Sequence, residues 1–497
     1  MSQEITTEGI LNKFEELISS RMTRFNYLLE NSRFEFKQYQ YDGVEWCVRN
    51  ELKPNPVENI RGGFIVDEMG LGKTITMIGT MFVNFLPRTL IVVPPPLIQQ
   101  WFNEIYNASG HQSLLYYGNN KKDITLLDIN NASIVLTTYN TLLSHNCLVK
   151  KLVWNRVIFD EAHHLRNSKT ERFNACKEIK ARVHWLVTGT PIQNKQNDFY
   201  SLCSAAGMKS SFYNNPANLR TIGKNFVLRR TKAQIGILLP SVHKISKIVE
   251  WKSKKEMMLS EEIHSLIPNQ TFVSTSKRKQ LASIFGSSCP IMCMLRARQS
   301  CILPRLMTKM LEKMSTMGLI TQDYSEALDT SSKIDAVVEL IMERKDNGKG
   351  KIVFCSYRDE IDTIVQKLNS RGLKKIIQYD GRNSGGSNLV SIAEPADVLV
   401  IQLQTGCEGL NLQKNFAEIY FVSPHWNPCI EDQAVARCHR IGQTKPVDVF
   451  KFEMRGFCKD KNEEVDPITM ENYINNVQEN KREIIKKILD KQILDEK

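Results

Sequence analysis

The sequence predicts an α/β fold with two parallel-sheet lobes and a helical insertion between them. Two series of short apolar runs lead to this prediction. Each run ends in a polar or Gly/Pro-rich cluster, as buried parallel strands do. The first series begins near residue 62 and the second near residue 350, whereas residues 241–330 lack such runs and have a helical pattern. In parallel sheets the carboxyl ends of the strands form the edge at which ligands bind.

Each apolar run is expected to form one strand. The first series reads GGFIVDE, RTLIVVPPP, ASIVLTTYN, WNRVIFDEAHH and VHWLVTGTP. The second reads GKGKIVFCSY, LKKIIQYDG, ADVLVIQLQTG, FAEIYFVSP and VDVFKFEM. Helical spacing of apolar residues predicts a packing helix at each end, within residues 1–33 and 468–497. Residues 326–333 are expected to form a linker into the second lobe.

Composition limits the classes of function. The 497 residues are 42% hydrophobic and 24% charged, which is ordinary for a soluble globular protein of several domains. No apolar run is long enough for a membrane span, and the N-terminus does not resemble a signal peptide. The 12 cysteines lack paired spacing and are expected to be reduced, in a cytosolic or nuclear compartment. The net charge of +12 fits a nucleic-acid partner, although many basic proteins bind nothing anionic.

The stretch DEMGLGKT at residues 67–74 lies between a predicted strand and a predicted helix. That is the context of a phosphate-binding P-loop. Its glycines allow the backbone to approach phosphate, Lys73 is expected to reach the β- and γ-phosphates, and Thr74 is expected to ligate Mg²⁺. The alternative is a simple Gly-rich turn. The candidate ATP-binding residues here are Asp67, Glu68, Met69, Gly70, Leu71, Gly72, Lys73 and Thr74. Asp67 stands where a P-loop usually begins with glycine.

The run VIFDEAHH ends in two acids, Asp160 and Glu161. Asp160 is a candidate Mg²⁺ ligand, directly or through water, and Glu161 is a candidate base that orients and deprotonates the attacking water. A pair of acids on a solvated loop is the alternative. The preceding P-loop favours the catalytic interpretation.

The stretch DQAVARCHRIGQTKPV at residues 432–447 allows two interpretations. Cys438 beside His439 suggests a metal site, but only Cys429 lies near in sequence, and Cys289 and Cys293 likewise lack a second pair at zinc spacing. Arg437 and Arg440, three residues apart and expected on one helix face, suggest arginine fingers that stabilise phosphoryl transfer. We favour the fingers.

Together, DEMGLGKT, DEAHH, TGTPIQN and QAVARCHRIGQTKPV, in this order, resemble the SNF2 family of superfamily 2 helicase-like ATPases. FKQYQYDGVEW, NFVLRRTK, LQTGCEGLNLQ and SPHWNPCIEDQ agree with further motifs of the family. The match covers about residues 34–455, leaves little room for accessory domains, and is nearest to compact members from large DNA viruses. The segment 379–402 looks shorter than usual. The resemblance implies two RecA-like lobes with the nucleotide site in the cleft: lobe 1 at 34–240, the insertion and linker at 241–330 and lobe 2 at 331–467.

The resemblance also implies roles for further residues. Gln40 matches the residue that reads adenine. Residues that match motifs coupling ATP state to lobe closure and DNA are Thr188, Gly189, Thr190, Gly406, Gly409 and Gln433. DNA contacts are expected at the loop after 94–96, at Thr137 and Thr138, and near Thr405 and Trp426. The basic clusters 252–255 and 276–279 are either phosphate contacts or solvated faces.

The resemblance implies an ATP- and Mg²⁺-dependent hydrolase that translocates on duplex DNA and remodels chromatin or displaces proteins, thereby altering transcription. A partner protein is expected to target the chain. The expected location is the nucleus, or the host nucleus if the chain is viral, and otherwise the cytoplasm. No membrane partner is expected. One alternative is an RNA-dependent DEAH-type helicase, because DEAH occurs at 160–163, although Gln443 stands where those helicases carry a further arginine. The other is a non-catalytic transcriptional regulator that retains the fold.

Overall fold

The computed structural model describes residues 7–267, 289–318, 320, 323–382, 396–406, 410–457 and 469–489. The chain divides into two compact units, Met1–Leu238 with Lys481–Lys497, and Leu239–Asn480. Each unit contains one parallel sheet, as predicted. Among the described residues, no helix combines the length and apolar character that crossing a membrane requires.

The first unit contains a seven-stranded sheet in the order β3-β4-β2-β5-β6-β1-β7, and its pairings are all parallel. Its strands are β1 Gly62–Ile65, β2 Thr89–Val93, β3 Leu114–Tyr116, β4 Ile134–Thr138, β5 Val153–Asp160, β6 Lys180–Val187 and β7 Val227–Leu228. The five strands predicted for this lobe are confirmed. The short strands β3 and β7 were not predicted.

Helices cover both faces of this sheet. They are α1 Thr7–Glu30, α2 Gln38–Leu52, α3 Lys73–Val83, α4 Ile98–Ser109, α5 Leu126–Asn131, α6 Tyr139–Leu142, α7 Glu171–Lys177, α8 Gln196–Ala205, α9 Ser210–Tyr213 and α10 Leu219–Phe226. Successive strand residues enter different cores: Phe64 packs with Phe199 on one face, and Ile65 packs with Trp101 and Trp185 on the other. This alternation is why the strands are apolar throughout.

A buried polar network fixes α2 to the sheet. The Glu51 carboxylate accepts hydrogen bonds from Arg156 Nε at 2.7 Å, Trp185 Nε1 at 2.8 Å and Asn84 Nδ2 at 2.7 Å. Arg156 lies on β5 and is fully buried. Because a buried charge is tolerated only when paired and hydrogen-bonded, this network holds α2 in one position against β5 and β6.

The second unit contains a six-stranded parallel sheet in the order β10-β11-β9-β12-β13-β8. Its strands are β8 Val242–Val249, β9 Gly350–Cys355, β10 Ile376–Tyr379, β11 Val398–Gln402, β12 Phe416–Phe421 and β13 Val447–Met454. The helices are α11 Lys254–Ser265, α12 Cys289–Ile302, α13 Thr308–Thr316, α14 Ser332–Glu343, α15 Arg358–Ser370, α16 Leu403–Gly406, α17 Pro428–Cys438 and α18 Met470–Lys486, the last of which belongs to the first unit from Lys481 onward. The five strands predicted for this lobe are confirmed.

Strand β8 corrects one expectation. Residues 241–330 were expected to lack strands, but Val242–Val249 pairs in parallel with the whole of β13. The pattern was missed because β8 is an edge strand, in which exposed lysines such as Lys244 and Lys247 interrupt the apolar residues. The expected linker at 326–333 lies within the second compact unit and includes the start of α14, where Lys333 is fully buried.

Candidate functional site

Three neighbouring strands of the first sheet end at the same level. Ile65 of β1 and Asp160 of β5 both pair with Val187 of β6. Because the strands are parallel, the loops that follow them leave from one edge of the sheet. The structure therefore places the predicted P-loop, the acid pair and residues 188–190 side by side.

The P-loop takes a conformation that its glycines permit. Gly70 has φ 90° and Gly72 has φ 77°, both in the left-handed region, and α3 begins at the next residue, Lys73. A Cβ at Gly72 would lie 2.5 Å from Gln40 Nε2, so a side chain there would displace Gln40. Lys73 Nζ donates to the carbonyl oxygen of Asp67 at 2.9 Å, across the loop. This strand, left-handed turn and helix start form the arrangement that binds phosphate groups.

Asp67 is held by an arginine that the motif analysis did not single out. Arg230, which follows β7, donates from Nε to Asp67 Oδ1 at 3.1 Å and from Nη2 to Oδ2 at 2.5 Å. Asp67 is fully buried. The unusual acid at the first P-loop position is therefore one half of a buried two-pronged ion pair. NFVLRRTK contained this arginine, but no local pattern indicated its partner 163 residues away.

Arg230 also contacts the segment that carries Gln40. Its Nη1 donates to the carbonyl oxygen of Tyr39, and its guanidinium lies 5.5 Å from the Tyr39 ring centroid. Gln40 is 3% exposed, and its Nε2 lies 3.5 Å from the carbonyl oxygen of Leu71 in the P-loop. The expected adenine-reading residue is thus positioned beside the P-loop.

Asp160 is buried at the end of β5 with both carboxylate oxygens engaged. Trp101 Nε1 donates to Oδ2 at 2.7 Å, and the Glu161 backbone N–H donates to Oδ1 at 2.9 Å. Burial, followed by the charge of Glu161, raises the pKa of Asp160 to about 6, against the opposing effects of these bonds and of Lys73. Trp101, on α4, holds the carboxylate in one orientation, and sequence reasoning did not identify it.

Glu161 is placed by a strained backbone. Its φ of 48° and ψ of 48° are left-handed, which costs a non-glycine residue about 1 kcal/mol or more. Its Oε2 lies 3.2 Å from His163 Nδ1, which also lies 3.5 Å from the Thr188 hydroxyl. His163 therefore joins the acid pair to the loop after β6. The DEAHH motif contained this histidine, but its role was not foreseen.

The loop at 188–190 is buried against the P-loop. The Thr188 N–H donates to the Ile65 carbonyl oxygen at 3.0 Å, and its hydroxyl accepts from the Thr190 N–H at 3.1 Å. A Cβ at Gly189 would lie 3.0 Å from Met69 Cγ and 3.4 Å from Lys73 Nζ. This close approach explains why the position between the two threonines carries no side chain.

In the second unit, the two candidate fingers do not share a helix. Arg437 lies in the last turn of α17, which ends at Cys438, and Arg440 lies beyond it. Their expected placement on one helix face is wrong, because the chain turns at His439, which has ψ 76° and whose Nε2 contacts the Pro240 carbonyl oxygen at 2.8 Å. Arg440 Nη1 donates to Asn411 Oδ1, and the Arg437 carbonyl oxygen accepts from the Leu412 N–H at 3.2 Å.

The remaining candidates in this unit are in varied positions. Gln433 is buried in α17, and within the described ranges its Nε2 has no hydrogen-bond partner. Gly406 is the last residue of α16, and Gly409 lies outside the described residues. Cys438 is fully buried, and no group of three metal-ligating side chains is found in the part of the chain that the structure describes.

The candidate DNA contacts differ in accessibility. Thr137 and Thr138 are buried and their hydroxyls are engaged internally, with the Tyr116 carbonyl oxygen and the α6 N-terminus, so they do not form a surface. Trp426 is partly exposed. In cluster 252–255, Lys252 pairs with Glu339 and Lys255 with Glu326, which favours a solvated face. Cluster 276–279 lies outside the described residues.

Comparison with known families gives a match over most of the chain. The SNF2-related domain matches residues 39–306, more than half of the sequence, and the helicase conserved C-terminal domain matches residues 332–442. The chain belongs to the SNF2-related family. This membership confirms the resemblance drawn from the motifs.

The chain is also similar to several individual proteins. The probable global transactivator of Orgyia pseudotsugata multicapsid polyhedrosis virus is 28% identical over 445 residues, covering 84% of this chain and 85% of its own, which confirms the expected likeness to compact viral members. An uncharacterized ATP-dependent helicase of Mycoplasma pneumoniae is 28% identical over 94% of this chain, which spans 43% of that relative's length. The Sulfolobus solfataricus SWI2/SNF2 ATPase core in complex with dsDNA is 25% identical, covers 93% of this chain and 95% of its own, and superposes with a TM-score of 0.39.

Proposed function

We propose that this SNF2 chain is a DNA-dependent ATPase that couples ATP hydrolysis to translocation on duplex DNA, remodelling chromatin or displacing bound proteins and so modulating transcription. The observation that carries the ATPase is the common level at which β1, β5 and β6 end, since it gathers the P-loop, the acid pair and residues 188–190. Duplex DNA is proposed from the SNF2 motifs, and the net charge of +12 supports an anionic partner.

The P-loop would bind the phosphates of ATP. Backbone N–H groups at the start of α3 and the left-handed turns at Gly70 and Gly72 favour an anion. Lys73 would exchange its bond with the Asp67 carbonyl oxygen for one with a phosphate oxygen. Gln40, held beside Leu71, would contact the adenine.

The donors near the P-loop fit Mg²⁺. Thr74 supplies a hydroxyl and Asp160 a carboxylate, and Mg²⁺ prefers such hard oxygen ligands. Each Asp160 oxygen already accepts one N–H bond and keeps a further lone pair, which suits a contact through metal-bound water. When bound, Mg²⁺ would neutralise charge on the phosphates.

Glu161 would orient the attacking water and accept its proton. Its left-handed backbone and the contact of its carboxylate with His163 restrain its position. Arg437 and Arg440 would supply positive charge to the transition state as arginine fingers from the second unit. Residues 188–190, Gly406, Gly409 and Gln433 would couple ATP state to DNA contact. A further protein would target the motor, and a chromatin substrate would place it in the nucleus.

The test is steady-state ATP hydrolysis by the purified chain with duplex DNA, single-stranded DNA, RNA or no nucleic acid. Glu161→Gln removes the proposed base and is expected to lower the rate by about 10²–10⁴-fold. The matched control is Glu178→Gln, an exposed acid whose partner is Lys150, and it is expected to keep the wild-type rate.

Stimulation by duplex DNA that is lost in Glu161→Gln is the expected result. Stimulation by RNA alone would support a DEAH-type RNA helicase instead, the alternative suggested by residues 160–163. Equal rates in wild type and Glu161→Gln would refute the assignment of the base.

A further inference from the structure

Two neighbouring strands of the second sheet lead into helices that pack on opposite faces of that sheet. After β9 the chain enters α15, whose Ile361 packs in one core with Val353 of β9. After β12, the neighbour of β9, the chain enters α17, whose Ala434 packs in a different core with Phe354. Val353 and Phe354 are successive residues and so point to opposite faces. Parallel strands whose connections diverge in this way leave a crevice at their carboxyl ends, where α/β sheets hold ligands.

One side chain contacts both of the loops that follow these two strands. The two N–H groups of Arg298 Nη2, on α12, are shared among three acceptors: the Ser356 hydroxyl at 2.8 Å, the Ser423 hydroxyl at 2.9 Å and the Pro424 carbonyl oxygen at 2.9 Å. Ser356 follows β9 directly, and Ser423 lies two residues beyond β12. One nitrogen therefore joins the loops that follow the two diverging strands.

In the described part of the chain, this arrangement leaves hydrogen-bonding groups of Arg298 and its surroundings unmatched, although burial raises the pKa of the Glu360 carboxyl and the charge of Arg298 partly opposes that rise. Arg298 is only 6% exposed, its three described acceptors are neutral oxygens, and within the described residues its Nε has no hydrogen-bond partner. The Tyr357 hydroxyl and Glu360 Oε1 in the adjoining loop and helix are buried without described partners as well. Burying a charge costs more than burying an apolar side chain of similar volume. A buried polar group with unmade bonds calls for another explanation.

The helix that carries Arg298 belongs to a separate helical cluster of the second unit. Cys293 and Ala297 of α12 pack in its core with residues of α11 and α13, and Trp426 packs against the same core. Trp426 lies three residues after Ser423. The loop after β12 is therefore fixed to this cluster twice, through Arg298 and through Trp426.

We propose that Arg298 is a positioning residue that locks the loops after β9 and β12 together, so that duplex DNA binding at this edge accelerates ATP hydrolysis. The proposal rests on the function proposed above. A shift of α12 is passed to both loops at once, because a single nitrogen holds them. The loop that contains Trp426 is the expected DNA contact. Because Arg298 holds this loop from α12, it would connect the helical cluster to the DNA.

The test compares three variants of the full chain. Arg298→Met removes all three hydrogen bonds while keeping an unbranched apolar side chain. Arg298→Lys is the rescue variant, because the bonds all come from one nitrogen and an ammonium has three donors. Arg305→Met is the matched control: Arg305 lies three residues beyond α12 and pairs with Asp329 at 2.7 Å, with 57% of its side chain exposed.

The first readout is amide hydrogen exchange without ATP or DNA. The reporters are the N–H groups of Tyr357 and His425, which donate to Glu360 and Glu431. In Arg298→Met these amides are expected to exchange about tenfold faster or more, with the strands of the second sheet unchanged. Arg298→Lys and Arg305→Met are expected to stay within about threefold of wild type. Faster exchange throughout the second unit would show a merely structural role and overturn the proposal.

The second readout is the ratio of duplex-stimulated to unstimulated ATP hydrolysis. Arg298→Met is expected to lower this ratio about tenfold, and Arg298→Lys to restore most of it. An unchanged ratio in Arg298→Met would overturn the coupling. If wild type shows no stimulation, the proposed function fails, and unchanged exchange at Tyr357 and His425 would still separately refute the positioning of the loops.

Discussion

Arg230→Met tests how the P-loop is held. The substitution removes both N–H donors from the Asp67 carboxylate, which is fully buried. Removing one partner of a buried ion pair leaves an uncompensated charge and costs about 3–5 kcal/mol. We expect the free energy of unfolding of the first unit to fall by about that amount. A purely surface pair would lose less than about 1 kcal/mol.

The same substitution should weaken ATP binding. The Asp67 carbonyl oxygen accepts from Lys73, and the Tyr39 carbonyl oxygen accepts from Arg230, so both sides of the expected nucleotide site lose a support. A tenfold rise in KM for ATP corresponds to about 1.4 kcal/mol, less than half of the expected loss in stability. We therefore expect KM for ATP to rise about tenfold or more.

The assay is urea unfolding followed by far-UV circular dichroism, together with the ATP dependence of hydrolysis. Arg49→Met is the matched control, because Arg49 forms the same two-pronged pair with Glu15, at 2.7 and 2.6 Å, with side chains 35% and 49% exposed. Equal losses in the two variants would refute the argument from burial. A normal KM for ATP in a destabilised Arg230→Met would show that the pair does not position the loop.

Two further predictions concern single contacts. Trp101→Phe removes the N–H bond to Asp160. It is expected to lower ATP turnover about 10–100-fold, since a hydrogen bond to a charged group is worth about 1.5–3 kcal/mol. The control Trp154→Phe loses a hydrogen bond to the Val149 carbonyl oxygen and should leave ATP turnover unchanged in the same assay. Burial lowers the pKa of His264 to about 4. Between pH 6.5 and 4 the unfolded chain therefore binds a proton that the native chain does not. As the pH falls through that window, the free energy of unfolding is expected to fall by up to about 1.4 kcal/mol per pH unit. His264→Gln should remove this part of the slope in urea unfolding at successive pH values, and parallel slopes would contradict it.

The elements read from the sequence are those set by local patterns. The continuous apolar runs from GGFIV to VDVFKFEM form strands because both faces of each sheet are covered. The predicted P-loop forms at 67–74, where the turn from β1 to α3 places Gly70 and Gly72 in the left-handed region. The acid pair lies at the end of β5, as expected from an apolar run that ends in two acids.

The features that were missed depend on distant residues. No local pattern pairs Arg230 with Asp67, or Arg298 with Ser423 across 125 residues. Strand β8 was not predicted because an exposed edge strand does not need a continuous apolar run. The predicted position of Arg440 was wrong for a related reason. Helix α17 ends at Cys438, and His439 contacts the carbonyl oxygen of the distant Pro240, which helical spacing does not reveal.

The position of β8 has a consequence for synthesis of the chain on the ribosome. Its partner β13 lies about 205 residues later, so β8 leaves the ribosome long before that partner exists. At about 5–20 residues per second the delay is roughly 10–40 s. During that time an eight-residue strand has no neighbour in its own sheet. The exposed charges of Lys244 and Lys247 disfavour pairing of this strand with other nascent chains. The lysines that interrupt the apolar pattern of β8 therefore also reduce its tendency to aggregate before β13 is synthesised.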